Sequence, residues 1–376
     1  MNIKVLLLCK DYWLQSHLFK LYILMKTGTI IIGQGISGTF LSWFLHQLNE
    51  DYIVIDDNKS NASSRVAACL INPVTGRRVV KVWMDDVILP FAENAYTEIG
   101  KFLNVHALDK KKIIDFFPNP FMKESFLKKL SQKEDYIDLI DDENFLKEYF
   151  NYEFGSGSIY PAYVIHLSNI LPAWRKFLQS KEQFIEESFK ENELKVTENK
   201  IFYKNIKAER IIFCDGADGI NNKFFSLLPF ALNKGEAVII EASDLPHDHI
   251  YKKSMIMAPV SEKGFFWVGT NYIWDYEDDR PTEAFRESTE QTLNSWLKVP
   301  FKIVEHCAAI RPATVERRPF AGFHPVYKNV GILNGMGTKG CSLAPYFAHR
   351  LCKNILDGTS LEKEADINRF SRILSA

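Results

Sequence analysis

The sequence predicts a mixed α/β (α+β) fold, in which a parallel Rossmann-type sheet is interrupted by an antiparallel one. Three observations predict it. Residues 29–56 hold a complete strand, glycine turn, helix and second strand. A second glycine turn follows an apolar strand near the C-terminus, at 330–340. Between them, 231–304 alternates as antiparallel strands do.

The first unit reads TIIIGQGISGTFLSWFLHQLNEDYIVID. Its opening β-branched run, 29–32, suits a parallel strand buried on both faces. Gly33, Gly35 and Gly38 allow a tight turn, close backbone approach to a pyrophosphate, and close helix–strand packing. Ile36 and Ser37 open a helix whose free N–H groups and positive dipole end face that phosphate. The second strand, 52–55, ends in Asp56, with Asp57 beside it. A carboxylate about 20 residues after the glycines accepts hydrogen bonds from a ribose. The unit points to an adenine dinucleotide.

At 376 residues the chain has room for two to three domains. Apolar residues at 46% and charged residues at 25% suit a soluble globular enzyme with a sizeable core. A net charge of −1 gives no global attraction to nucleic acid or anionic membrane. The lysine-rich run 123–133 reads as a solvated helix face. Six cysteines lie scattered without CxxC or zinc spacing, and no secretion signal is evident, so the chain reads as reduced and cytoplasmic. No segment has the apolar length of a membrane span. Residues 1–24 read as an appendage before the first strand, because Lys10 and Asp11 break their apolar stretch. His247, Asp248 and His249 read as a polar loop, so no metal site is expected.

After a polar turn that includes Ser64, the segment RVAACLINPVTGRR mixes small and apolar residues. Residues 155–158 read as a loop and Ile165 as the start of a helix. The apolar strand 210–213 runs into Asp215-Gly216-Ala217, a second tight turn from a parallel sheet. Strands are expected around 237–241, 254–257 and 265–270, and a helix over 282–297. The closing stretch VGILNGMGTKGCSLAP again spells GxGxxG, through Gly335, Gly337 and Gly340, before a helix at 342–355. Too little chain follows for another strand ending in an acid. The turn still offers a helix N-terminus to partial negative charge.

A glycine unit at the start, a strand–DG turn, an antiparallel insert and RPAT…RPFAG…GMGTKGCSLAP at the end together resemble the D-amino-acid oxidase family of flavoproteins over roughly 27–356. The closing motif is also similar to flavin domains that complete a modified wobble uridine in tRNA. The resemblance implies a glutathione-reductase-like FAD domain (25–90, 155–230 and 305–376) interrupted by an antiparallel-sheet substrate domain (91–154 and 231–304). It implies pyrophosphate contacts at Gly33, Gly35, Ile36, Ser37 and Gly38, and ribose contacts at Asp56 and Asp57. Ser64, Arg65 and Ala68 would pass the diphosphate and flavin, and Gly216 the adenine half. Gly335, Gly337, Lys339, Gly340, Cys341 and Ser342 would meet the isoalloxazine.

Arg311, in AAIRPAT, stands where amino-acid-oxidising members hold the substrate carboxylate, and its planar fork suits that group. Lys339 would stabilise the reduced flavin. Ala309 replaces the cysteine of covalent members, which implies non-covalent FAD; Cys69 stands where glycine is usual. The implied reaction is oxidation of the C–N bond of an amino acid or secondary amine by hydride transfer to flavin N5. Oxygen or another acceptor would take the electrons. Three further readings keep the flavin: oxidation of a 2-hydroxy acid, modification of a tRNA wobble uridine, and flavin binding without turnover.

Overall fold

A computed structural model describes residues 24–76, 79–132, 134–140 and 142–375. Apart from Leu24, the expected appendage lies outside them, as does Lys133 of the lysine-rich run. Two large sheets dominate the fold. In the first, strands Phe184–Glu186, Tyr52–Asp56, Met25–Ile32 and Ile206–Phe213 run parallel. Val330–Asn334 extends the parallel set beside the C-terminal half of Ile206–Phe213. The register sets Ile32 beside Ile55 and Phe213, so three strands end at one edge. That edge carries the glycine turns, the usual ligand crevice of such sheets.

Alternation along these strands explains their β-branched composition. Ile31, Val54 and Ile212 point into one core cluster, and Ile30, Ile32, Ile53, Ile55 and Ile211 into another on the opposite face. Helices cover the first face. Ile36–Gln47 buries Phe40, Leu41 and Leu45, and packs along the closing helix Gly340–Asp357. Gly38 cannot be larger, because a Cβ there would sit 1.8 Å from Gly33 O. Gly33 has φ +98, and a Cβ on it would meet Cys214 O at 2.4 Å.

The second sheet has nine strands and is mostly antiparallel. Asn233–Glu241 lies between Lys302–Arg311 and Phe265–Gly269; Ile256–Pro259, His249–Lys252 and Leu108–Phe116 follow in order. The expected insert strands are therefore present, and the expected helix is Glu283–Trp296, capped by the Thr282 side chain. Leu70–Ile71, Ser156–Ile165 and most of Lys302–Arg311 join this sheet from outside the segments expected for it. The loop expected at 155–158 is the start of strand Ser156–Ile165, and the next helix is Leu167–Ser180. Glycine and serine mimic a loop locally. Here Gly157 takes a ring edge, since a Cβ on it would lie 2.4 Å from Phe126. Helix Asp85–Leu103, from the other expected segment, packs on the closing helix instead.

Candidate active site

The first glycine turn is closed by side chains from three directions. Gln34 N–H donates to Asp56 Oδ2 at 2.7 Å, so the carboxylate sits against the turn as expected. Asp56 Oδ1 accepts from Arg175 Nη2 at 2.6 Å and from Asn58 N–H at 2.9 Å. Arg175 also donates through Nε to Gln34 Oε1, and stacks on Phe184. Ser64 Oγ accepts from Ile36 N–H at 3.0 Å and so covers the helix tip. Arg65 lies 3.8 Å from Asp56. Asp57 turns away, accepting from Ser188 Oγ. Ser37 is buried in the helix's first turn.

The second turn meets the first. A Cβ built on Gly340 would lie 3.6 Å from Ile36 Cγ2, so the N-termini of the two helices adjoin. Asn334 joins this turn to the strand–DG turn: its Nδ2 donates to Asp215 Oδ1 at 2.8 Å and to Gly216 O at 2.9 Å. Burial pushes the Asp215 carboxyl up to about 6. Gly216 opens a short 3-10 turn, and nothing within 4 Å would meet a Cβ there. Gly337 N–H donates to Pro312 O at 3.0 Å, and a Cβ on Gly335 would meet Thr314 at 2.6 Å. The segment carrying Arg311 thus packs on the second turn. Ser342 Oγ donates to Lys339 O. Cys341 is buried, and Tyr96 donates to its carbonyl. Cys69 adopts φ +53, which accounts for glycine being usual at its position. Ala68 packs beneath the second sheet.

Two cations at this junction lack anionic partners. Among the described residues, no hydrogen bond or ion pair engages Lys339 Nζ. Burial, helped by nearby Lys252, pulls its pKa down to about 8. Lys339 also caps the positive end of the closing helix, which disfavours a cation. Arg311 is half-buried and, among the described residues, has no carboxylate in ion-pair contact. Neutral acceptors hold it: Asn233 Oδ1 at 2.7 Å, Thr270 Oγ1 at 2.6 Å and Asn271 O at 3.2 Å. Its guanidinium stacks on Tyr272 and lies over Gly235, where a Cβ would strike it. Glu316, beside it in sequence, pairs with Arg369 instead.

Two bonds fasten the arginine's sheet to the short helix Ser63–Val66, whose Ser64 covers the first turn. Ser63 Oγ donates to Ile310 O at 2.6 Å, and Trp267 Nε1 to Val66 O at 2.8 Å. Lys252, on the same sheet, pairs with buried Asp115 at 2.8 Å. Arg175, Asn334, Lys252, Ser63 and Trp267 complete the site. Of these, only Trp267 stands out in sequence, as an aromatic at a strand end. His247 and Asp248 lie in the bend before strand His249–Lys252, so His249 belongs to a strand rather than to the expected polar loop.

These residues fit a dinucleotide flavin. A glycine cradle would seat the pyrophosphate, Asp56 Oδ2 keeps a lone pair for a hydroxyl, and Lys339 offers a charge without a hydrogen-bond or ion-pair partner among the described residues. A Rossmann sheet with glycine turns at both ends of the chain, beside a sheet that presents an arginine, defines an FAD-dependent oxidoreductase. The chain belongs to the DAO family, FAD dependent oxidoreductases, which it matches over residues 29–353.

Solved structures agree in fold. Glycine oxidase from Geobacillus kaustophilus is similar over 92% of this chain and 98% of its own, at 13% identity and TM-score 0.72. Iminodiacetate oxidase from Chelativorans sp. BNC1 matches over 90% and 98%, at 14% identity and TM-score 0.71. L-proline dehydrogenase from P. horikoshii matches over 93% and 98%, at 15% identity and TM-score 0.71. Among the described residues, no helix is long and apolar enough to cross a membrane.

Proposed function

We propose that the chain oxidises the C–N bond of a small amino acid or secondary amine that carries a carboxylate. The observation that carries this is Arg311: a fixed, desolvated guanidinium with no acid of its own, fastened beside the paired glycine turns. The similar structures are named for glycine, iminodiacetate and L-proline, each an amine next to a carboxylate. Those names favour an amine over a 2-hydroxy acid or a tRNA base.

Gly33, Gly35, Ile36, Ser37 and Gly38 would hold the FAD pyrophosphate non-covalently, with Ser64, Arg65 and Ala68 along it. Asp56 would hold the ribose, while Asp57 faces Ser188 instead. Gly216 would lie near the adenine half, and Gly335, Gly337, Gly340, Cys341 and Ser342 would line the flavin. Bound FAD supplies the two-electron acceptor for the substrate hydride. Arg311 binds the carboxylate through a bidentate fork and so fixes the Cα–H direction. Thr270 and Asn233 keep that fork from rotating. Lys339 holds positive charge where negative charge develops. Trp267, bonded to Val66, keeps the substrate sheet closed on the cofactor loop. The scattered free thiols suit a reducing, cytoplasmic setting. Oxygen or a protein acceptor would reoxidise the enzyme.

Anaerobic mixing of the purified holoenzyme with glycine, sarcosine, D-alanine, iminodiacetate, L-proline and 2-hydroxyglutarate tests this reading. Bleaching of the oxidised flavin band by an amine and not by the hydroxy acid is the expected result. Bleaching by the hydroxy acid alone would replace the reading.

A further inference from the structure

Away from the glycine turns, His106 and Asp109, three positions apart, converge with the distant His166. His106 Nε2 lies 2.8 Å from Asp109 Oδ1, and His166 Nε2 lies 3.1 Å from Asp109 Oδ2. The three candidate ligand atoms all fall within 4.8 Å of one another. The two imidazole rings face each other at 4.8 Å.

The backbone beneath them is fixed. His166 N–H donates to Ala107 O at 2.9 Å, and Asn169 Nδ2 to His106 O at 3.0 Å. On its far side, His166 Nδ1 meets Ser261 Oγ at 2.8 Å, from the turn between strands Ile256–Pro259 and Phe265–Gly269. This second partner orients the ring, and with Nδ1–H donating to Ser261 Oγ the Nε2 lone pair would face Asp109 and a shared ion. His166 is buried while His106 is exposed, so one side of the cluster is open. That side borders a crevice lined by Thr97, Lys101 and Asn104.

We propose that His106, Asp109 and His166 form a divalent transition-metal site, with Zn2+ the best-suited ion and water in the open position. Two imidazoles and a carboxylate are a donor set for this ion. The metal would pin the start of strand Leu108–Phe116 to the start of helix Leu167–Ser180. Lys111 Nζ, 4.0 Å from Asp109 Oδ2, opposes a dication but is drawn aside to His247 O. Its charge holds the affinity in the micromolar range. The site is independent of the flavin reaction, and spacing in sequence hides it because His166 stands 57 residues after Asp109.

The test uses untagged, FAD-loaded full-length protein, stripped with chelator and titrated calorimetrically with Zn2+, then with Co2+ in the visible. The expected result is one Zn2+ per chain at micromolar dissociation constant, with Co2+ bands of a low-coordinate site. His106→Ala and Asp109→Asn should each weaken binding by at least about tenfold. Asp109→Asn can still hydrogen-bond both imidazoles, so its loss of metal separates ligation from structural bonding. An unchanged flavin spectrum and melting temperature in the stripped variants confirm the fold. No binding at micromolar Zn2+, or an affinity unchanged from the wild-type chain in either variant, overturns the proposal.

Discussion

Ile36 and Gly340 stand at the tips of two helices that begin 304 positions apart, yet a Cβ on Gly340 would lie 3.6 Å from Ile36 Cγ2. One ligand can therefore touch both tips. Each tip carries the positive end of its helix dipole, although Ser64 Oγ covers the Ile36 N–H at the first.

Gly38→Ala tests the first tip. Its added methyl would sit 1.8 Å from Gly33 O, so helix and strand must separate. The expected cost is about 3 kcal/mol of stability, from overpacking, with loss of FAD on gel filtration. Full FAD retention at an unchanged melting temperature would contradict the packing described.

Arg175→Met tests the clamp on Asp56. The 2.6 Å ion pair is lost and the carboxylate is no longer aimed at the turn. FAD affinity should fall about tenfold, equivalent to ~1.4 kcal/mol. Fluorescence titration of the stripped protein measures it.

Arg311→Ala should raise the amine KM by about 30-fold or more, equivalent to ~2 kcal/mol for an unpaired buried charge. The flavin spectrum should not change. An unaltered KM removes Arg311 from the substrate site.

Lys339→Met should lower the flavin reduction potential by about 20 mV, or ~1 kcal/mol for two electrons. The pH dependence has a definite sign. In cofactor-free protein the folded pKa, about 8, lies below the ordinary 10.5. Protonation therefore weakens the fold, and stability rises as pH climbs between those values. The wild-type melting curve should gain on the variant at high pH over that window.

Acid precipitation should release all FAD to the supernatant. Ala309 offers no thiol, and nearby Cys307 is engaged with Ala237 O with its thiol pushed up to about 11 by burial. Yellow colour retained in the pellet would show a covalent bond.

Sequence carried the parts of this site that are local. Glycines 33, 35 and 38 lie in one turn, and their roles follow from steric rules within a few residues. The closing GMGTKG turn was equally legible, and so was its mismatch with a second complete dinucleotide fold. What escaped reading depends on partners far away in the chain. Arg175 reaches Asp56 across 119 positions, and nothing in its amphipathic helix marks it. Lys252 approaches Lys339 only because strand His249–Lys252 runs beside Leu108–Phe116. Strand Ser156–Ile165 was obscured by its Gly and Ser content, of which a neighbouring Phe126 ring requires Gly157.

The FAD content of the purified chain tests the central claim most directly. Chromatography of the released cofactor should give one FAD per chain and no nicotinamide dinucleotide, with Gly38→Ala and Gly340→Val each diminishing that same FAD. Colourless protein that refuses added FAD, or a second dinucleotide held separately at the closing turn, would contradict the account.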